Sequence, residues 1–146
     1  MKKTESKVEY AGFWLRTCAL IIDTIILFFG GYAIGFMLGI LYSDFVVENP
    51  EFVKDASNAI GLIISWLYFA FMEYKYGATF GKQALELKVT DINGGPVTFL
   101  QATGRFFGRF LSLITLYIGF IMAGFTKKKQ ALHDIVSDCL VVKNQK

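Results

Sequence analysis

Residues 13–42 read FWLRTCALIIDTIILFFGGYAIGFMLGILY. From Thr24 to Tyr42 no side chain is charged, and extension back to Phe13 gives a helix longer than the ~20 residues that cross the hydrocarbon core of a bilayer. Only Arg16 and Asp23 interrupt it, about two helical turns apart, so both project from one face. A carboxylate inside an apolar helix costs on the order of 2.5–3.5 kcal/mol on insertion scales, so Asp23 must face protein, water or an ion and not acyl chains. Two readings are open. Asp23 pairs with a basic side chain and fixes packing while Arg16 snorkels to the headgroups, or Asp23 is a proton- or cation-binding carboxylate on a transport path.

Within the same helix Gly31, Gly35 and Gly39 recur every four residues and make a smooth stripe for helix packing, within or between chains. Ser43–Asp55 (SDFVVENPEFVKD) is acidic and holds a proline, which predicts a short extramembrane loop. Ala56–Met72 is a second uncharged run, at the short end for a span, and stops at Glu73. Glu73 either snorkels or neutralises a cation entering the bundle. Composition agrees with membrane residence: of 146 residues 54% are hydrophobic and 18% charged, more apolar surface than a soluble domain of this size hides. The basic start Met1-Lys2-Lys3 imitates a signal peptide, but the apolar run behind it is too long and holds Arg16 and Asp23, so it reads as an uncleaved anchor.

Glu73–Val97 reads as a cytoplasmic loop. It contains a strand-like Glu86–Thr90 and a turn signal, Asp91-Ile92-Asn93-Gly94-Gly95-Pro96. Its YGATFGKQ follows no strand and lacks a GKS or GKT ending, so it is a tight turn into Lys82 and not a phosphate loop. Thr98–Arg109 has the pattern of an amphipathic interfacial helix, with Arg105 and Arg109 at lipid headgroups. Phe110–Thr126 is a third apolar segment. Lys127, Lys128 and Lys129 after it suit anionic lipid at about 1 kcal/mol each near the surface, and a second strand-like piece, Cys139–Val142, closes the chain.

Lys and Arg concentrate in the N-terminal segment, the 73–109 region and the tail, which places all three in the cytoplasm and the acidic loop outside. A third full crossing would send the basic tail outside. A re-entrant hairpin breaking near Thr115–Gly119 avoids this and lets the two strand-like pieces pair on one side, whereas a third span would break the charge rule. The expected fold class is therefore an all-α integral membrane protein with two full transmembrane helices. A third apolar helical segment, an interfacial amphipathic helix and a short cytoplasmic β-pair complete it.

Chemistry is sparse. Cys18 and Cys139 read as unpaired thiols, and His133 beside Asp134 as a hydrogen-bonded pair. No metal-ligand set, cofactor motif or activated nucleophile is recognisable, so neither metal, cofactor nor enzymatic activity is expected. The net charge of +3 sits beside apolar runs, which suits lipid headgroups and not nucleic acid.

The order of these features resembles the RDD family of small, mostly bacterial membrane proteins, named for an arginine and two aspartates. GFWLRTCALIID supplies Arg16 and Asp23. The turn at Gly77, Thr79, Gly81 and Lys82 and the later Gly-Gly-Pro look like that family's intervening stretch, and the basic run followed by Leu-His-Asp makes Asp134 the second aspartate. The likeness runs from about Tyr10 to Val142, with Phe80 standing where a proline is expected. It implies a multi-pass domain of the bacterial cytoplasmic membrane and transport of ions or other small ligands, including sodium/proton exchange by antiporter-like members. The residues and the resemblance together give two expectations. One is a homo-oligomeric transporter of monovalent cations, protons or another small ligand, using Arg16, Asp23, Glu73 and Asp134. The other is a scaffold that holds another membrane protein or lipid.

Overall fold

The computed structural model describes residues 9–114 and 118–143. It is mostly helical, with two long apolar helices, α1 (Phe13–Leu41) and α3 (Pro50–Tyr76), and a short α2 (Ser43–Glu48) between them. At 1.5 Å per residue their 29 and 27 residues reach about 43 and 40 Å, enough to cross a bilayer. The acidic loop expected at 43–55 is helical instead. Pro50 occupies the first turn of α3, where its missing N–H has no partner to lose, and Asp44 and Glu51 lie in the first turns of α2 and α3, beside the positive end of the helix dipole. A proline read as a breaker is here a starter, and α3 is longer than the expected 56–72 at both ends.

Gly77 ends α3 in the left-handed region (φ 69°), its N–H donating to the Glu73 carbonyl at 3.0 Å. Its own carbonyl accepts from Val89 N–H at 2.6 Å, which ties the helix end to β1 (Leu87–Asp91). Between them lies α4 (Phe80–Ala84), begun by Thr79. After β1 the Asp91 carboxylate accepts from the N–H groups of Asn93 and Gly95, closing the turn read from the sequence. β1 pairs antiparallel with β2 (Cys139–Lys143), Leu87 opposite Lys143 and Asp91 opposite Cys139. Tyr10 bridges to Val142, and Ala11 N–H donates to Val141 O at 2.8 Å, so the N-terminal residues lie alongside β2.

The amphipathic helix does not stop at Arg109: α5 runs Phe99–Ile114, and α6 (Ile118–Phe125) and α7 (Leu132–Val136) follow. The expected break near Thr115–Gly119 falls partly on Thr115–Tyr117, outside the described residues. The flanks are informative. Arg105 meets Asp134 at 2.8 Å, and a Cβ placed on Gly108 would sit 3.0 Å from the Cβ of His133. The chain before the third apolar segment and the chain after it thus meet at one end of the molecule. That end, the base, contains the core of Ala11, Ala19, Ala70, Leu87, Val89, Val97, Ala102, Cys139 and Val141. There α1 packs on α4, and α5 on both α3 and α7.

Candidate functional site, a buried charge cluster

Asp23, on the third turn of α1, is 1% exposed and accepts three hydrogen bonds. Tyr68 on α3 donates its hydroxyl at 2.7 Å, Thr79 its hydroxyl at 2.6 Å and Gly81 its N–H at 2.8 Å. The Gly77-x-Thr79-x-Gly81-Lys82 turn therefore has a physical explanation at each position. Gly77 supplies the left-handed cap, and Thr79 starts α4 and reaches Asp23. Gly81 permits close approach, since a Cβ there would lie 2.1 Å from the Ala19 carbonyl oxygen. Lys82 then points its ammonium group at Glu73, 9 residues back, in a buried ion pair.

Glu73 is 1% exposed near the end of α3. Besides Lys82 it meets Arg109 at 2.9 Å and, through its other oxygen, Arg105 at 3.5 Å. Asp134, in the first turn of α7, is fully buried. It pairs with Arg16 and with Arg105 at 2.8 Å, and accepts from Ala131 N–H at 3.1 Å. Burial alone would raise the Asp134 carboxyl, but Arg105 and Arg16 hold it well below the usual carboxylate range. Burial pushes Lys82 down to about 8, aided by Arg105 and Arg109 and opposed by Glu73. Burial also pushes His133 down to about 3, against Asp134 and with the three arginines, so its ring is neutral at physiological pH.

Arg105 and Arg109 correct a sequence reading. Expected at lipid headgroups, Arg105 is 1% exposed inside the cluster, and Arg109 spans Glu73 and the face of the Phe69 ring at 4.2 Å. The physical reason is that two buried carboxylates from other helices need counter-charges, and these two positions on α5 face them. Arg16 does not snorkel either: it binds Asp134 and the Ala11 carbonyl. Lys127, Lys128 and Lys129 are exposed just past α6. Among the described residues, a Cβ on Gly31, Gly35 or Gly39 would meet no atom within 4 Å beyond its own stretch of helix. Tyr68 and Thr79 carried no sequence signal as partners of Asp23, and Lys82 was read only as the end of a turn.

A cavity of about 60 Å³ lies at the junction, walled by Arg16, Asp23, Lys82, Arg105, Arg109 and His133 and by apolar side chains such as Phe13, Leu20 and Phe69. Arg16 and Asp23 thus share a wall, with Glu73 and Asp134 bound to its cationic lining. Among the described residues no group of three or more His, Cys, Asp or Glu side chains is placed to hold a metal ion.

Residues 10–138 match the model of the RDD family. The uncharacterized protein YxaI of Bacillus subtilis (strain 168) is 37% identical over 90% of this chain and 96% of its own length. The uncharacterized membrane protein YteJ of the same strain is 27% identical over 91% of this chain and 80% of its own. No solved structure matches. With its two long apolar helices and this kinship the chain is a membrane-type protein, and it belongs to the RDD family.

Proposed function

We propose that this protein spans the bacterial cytoplasmic membrane twice, with its base on the cytoplasmic side, and binds a small charged ligand in the basal cavity to carry it across the bilayer as an oligomer. One observation carries the reading: α1, α4 and α5 converge four cationic side chains and Asp23 on a partly open cavity at the foot of the long helices. Charged groups buried beside membrane helices mark ligand or ion paths more often than they add stability. The orientation rests on the Lys and Arg of the base, against the acidic α2 and the start of α3 at the other end. Two spans per copy cannot enclose a path alone, so several copies are part of the proposal.

Monovalent cation or proton exchange is the finer form of this reading. It would run through Asp23, with Glu73 and Asp134 setting the potential. Each of these carboxylates already faces donors or cations, which favours ligands other than cations. Reconstitution into proteoliposomes tests both forms. Flux of a small ion by the parent protein supports transport, and equal proton or sodium flux in Asp23→Asn removes exchange at that residue. No flux of any small ion from a folded, inserted protein removes the transport reading.

A second reading, an assembly module for another membrane protein or lipid, is favoured by the bare outer surface of the long helices. Phe28, Phe29, Tyr32 and Phe36 are 65%, 65%, 66% and 61% exposed along α1. A partner recovered at fixed stoichiometry after mild detergent extraction would support it, and autonomous transport by the purified protein would remove it.

A further inference from the structure

The charges around the basal cavity do not balance. Arg16, Lys82, Arg105 and Arg109 face Asp23, Glu73 and Asp134, which leaves one positive charge in excess with His133 neutral. Hydrogen-bonding groups of both kinds are also left over. Arg105 Nε and Nη1, Glu73 Oε2 and Asp134 Oδ1 are buried without a hydrogen bond among the described residues but belong to the ion pairs that Arg105 makes with the two carboxylates. Arg16 Nη2 on α1 and Arg109 Nη1 on α5, by contrast, are buried with neither a hydrogen bond nor an ion-pair contact of their own among the described residues. Both side chains line the cavity. A guanidinium in a protein keeps its proton, so neither side chain escapes the problem by becoming neutral. An unmet donor on a buried charge is among the costlier defects a fold can carry. A water molecule would meet the donors and leave the excess charge in place. A cation would add to it.

We propose that this cavity binds a compact monoanion, such as a halide, nitrate, dihydrogen phosphate or the phosphodiester of a lipid headgroup, with Arg16 Nη2, Arg109 Nη1 and the Lys82 ammonium as its donors. The ligand completes the charge balance and bridges α1 to α5, whose Arg16 and Arg105 also share the Asp134 carboxylate. A volume of about 60 Å³ holds an anionic group of a few heavy atoms, and the open mouth lets that group be a free ion or the phosphodiester of a lipid. This assigns a ligand class to the site of the transport reading, yet binding here does not require transport.

The test is thermal unfolding of the full chain in a neutral detergent. Sodium gluconate, the bulky reference anion, is replaced at constant ionic strength by chloride, nitrate or phosphate. In a separate arm phosphatidylglycerol is added against phosphatidylcholine. The expected result is a saturable rise in Tm with at least one compact anion, since a ligand that binds only the folded state stabilises it by mass action. The apparent affinity should fall at least tenfold in Arg109→Gln. Because that variant also releases Glu73, Thr17→Leu serves as the second: it fills the cavity wall and leaves every ion pair intact. A rise with phosphatidylglycerol alone, lost in Thr17→Leu, identifies the anion as a lipid headgroup. A Tm indifferent to anion identity in both arms, or a rise that Thr17→Leu retains in full, overturns the proposal. Anion binding without flux removes transport and leaves the site, whereas flux without anion binding removes the site and leaves transport.

Discussion

The two ends of α1 are built on opposite principles. In its basal half Ala19 and Asp23 are buried, and directional contacts to residues far along the chain hold Asp23 and lock Arg16 to α7. In its outer half, from Phe28 to Leu41, side chains stand exposed and the glycines face open space. Apolar surface gains nothing by meeting another apolar helix in lipid that it would not gain from acyl chains, so the outer half has no energetic reason to choose one neighbour. The buried polar contacts do choose. A salt bridge adds little net stability, but its alternative, an orphaned charge, is costly enough to exclude other arrangements. The base therefore specifies the fold, and the spans follow it.

The sharpest way to break this contrast is to remove one charge from the base. Asp134→Ala leaves Arg16 and Arg105 buried without their shared counter-charge, and the expected loss is about 3–5 kcal/mol, read as a fall in Tm in detergent. Acid attacks the same place. His133 is neutral in the folded protein down to about 3 but takes a proton when unfolded below its ordinary value near 6.5, so the unfolded state binds more protons across that window and stability falls as pH drops through it. Asp134, depressed in the fold, adds to the loss below about pH 4, where the unfolded carboxyl is protonated first. Melting followed from pH 7.5 to 4 should fall continuously, and His133→Gln should flatten the part above pH 4. A flat profile for the parent would show the cluster to be open to water.

Next in size is Gly81→Ala. Its Cβ would lie 2.1 Å from the Ala19 carbonyl oxygen, a backbone atom that cannot swing away, so α4 must retreat from α1 and the Thr79 and Gly81 bonds to Asp23 stretch. Overpacking of this kind costs about 1–3 kcal/mol. Urea or heat denaturation should place it at the upper end of that range, and a wild-type Tm would mean that α4 does not pack on α1 as described.

These two positions also mark what the sequence could and could not convey. The apolar runs were legible because bilayer thickness fixes a length that composition reveals directly, and the strand-like Glu86–Thr90, observed as Leu87–Asp91, because alternation is a local signal. That Asp23 needs a polar companion followed from desolvation alone. Its companions Tyr68, Thr79 and Gly81 did not, because they are 45 to 58 residues away and nothing in their local pattern differs from surface or turn residues. Arg105 and Arg109 were misplaced for a related reason. An amphipathic helix shows which face is polar, but not whether that face meets water, headgroups or two buried carboxylates of another segment. Pro50 misled because a proline breaks a helix only from inside, and at the first turn it begins one.

Asp23→Asn probes the base more gently than either change above. With its amide oxygen in place of Oδ1, Asn keeps the bonds from Tyr68 and Gly81 and turns its NH2 toward the Thr79 hydroxyl, which loses its acceptor. One unmet buried hydroxyl is worth about 1–2 kcal/mol, less than the backbone clash at Gly81. A larger loss, matching that of Asp134→Ala, would mean that the negative charge of Asp23, and not its hydrogen bonds, holds the basal cations in place.

The smallest effect belongs to the outer half. Gly35→Ala adds a methyl group that meets no atom within 4 Å, and replacing glycine by alanine in a helix favours the helical state by up to about 1 kcal/mol. The stability of the single chain should therefore stay level or rise slightly. Gly35→Leu sharpens the point, because its bulk disturbs nothing inside the chain yet would pry apart any helix seated on the glycine stripe. If copies associate there, light scattering in mild detergent should report a smaller oligomer for Gly35→Leu at unchanged Tm. An oligomer of undiminished size would move any contact between copies to another face of the spans and leave the glycines as mere smooth surface against lipid.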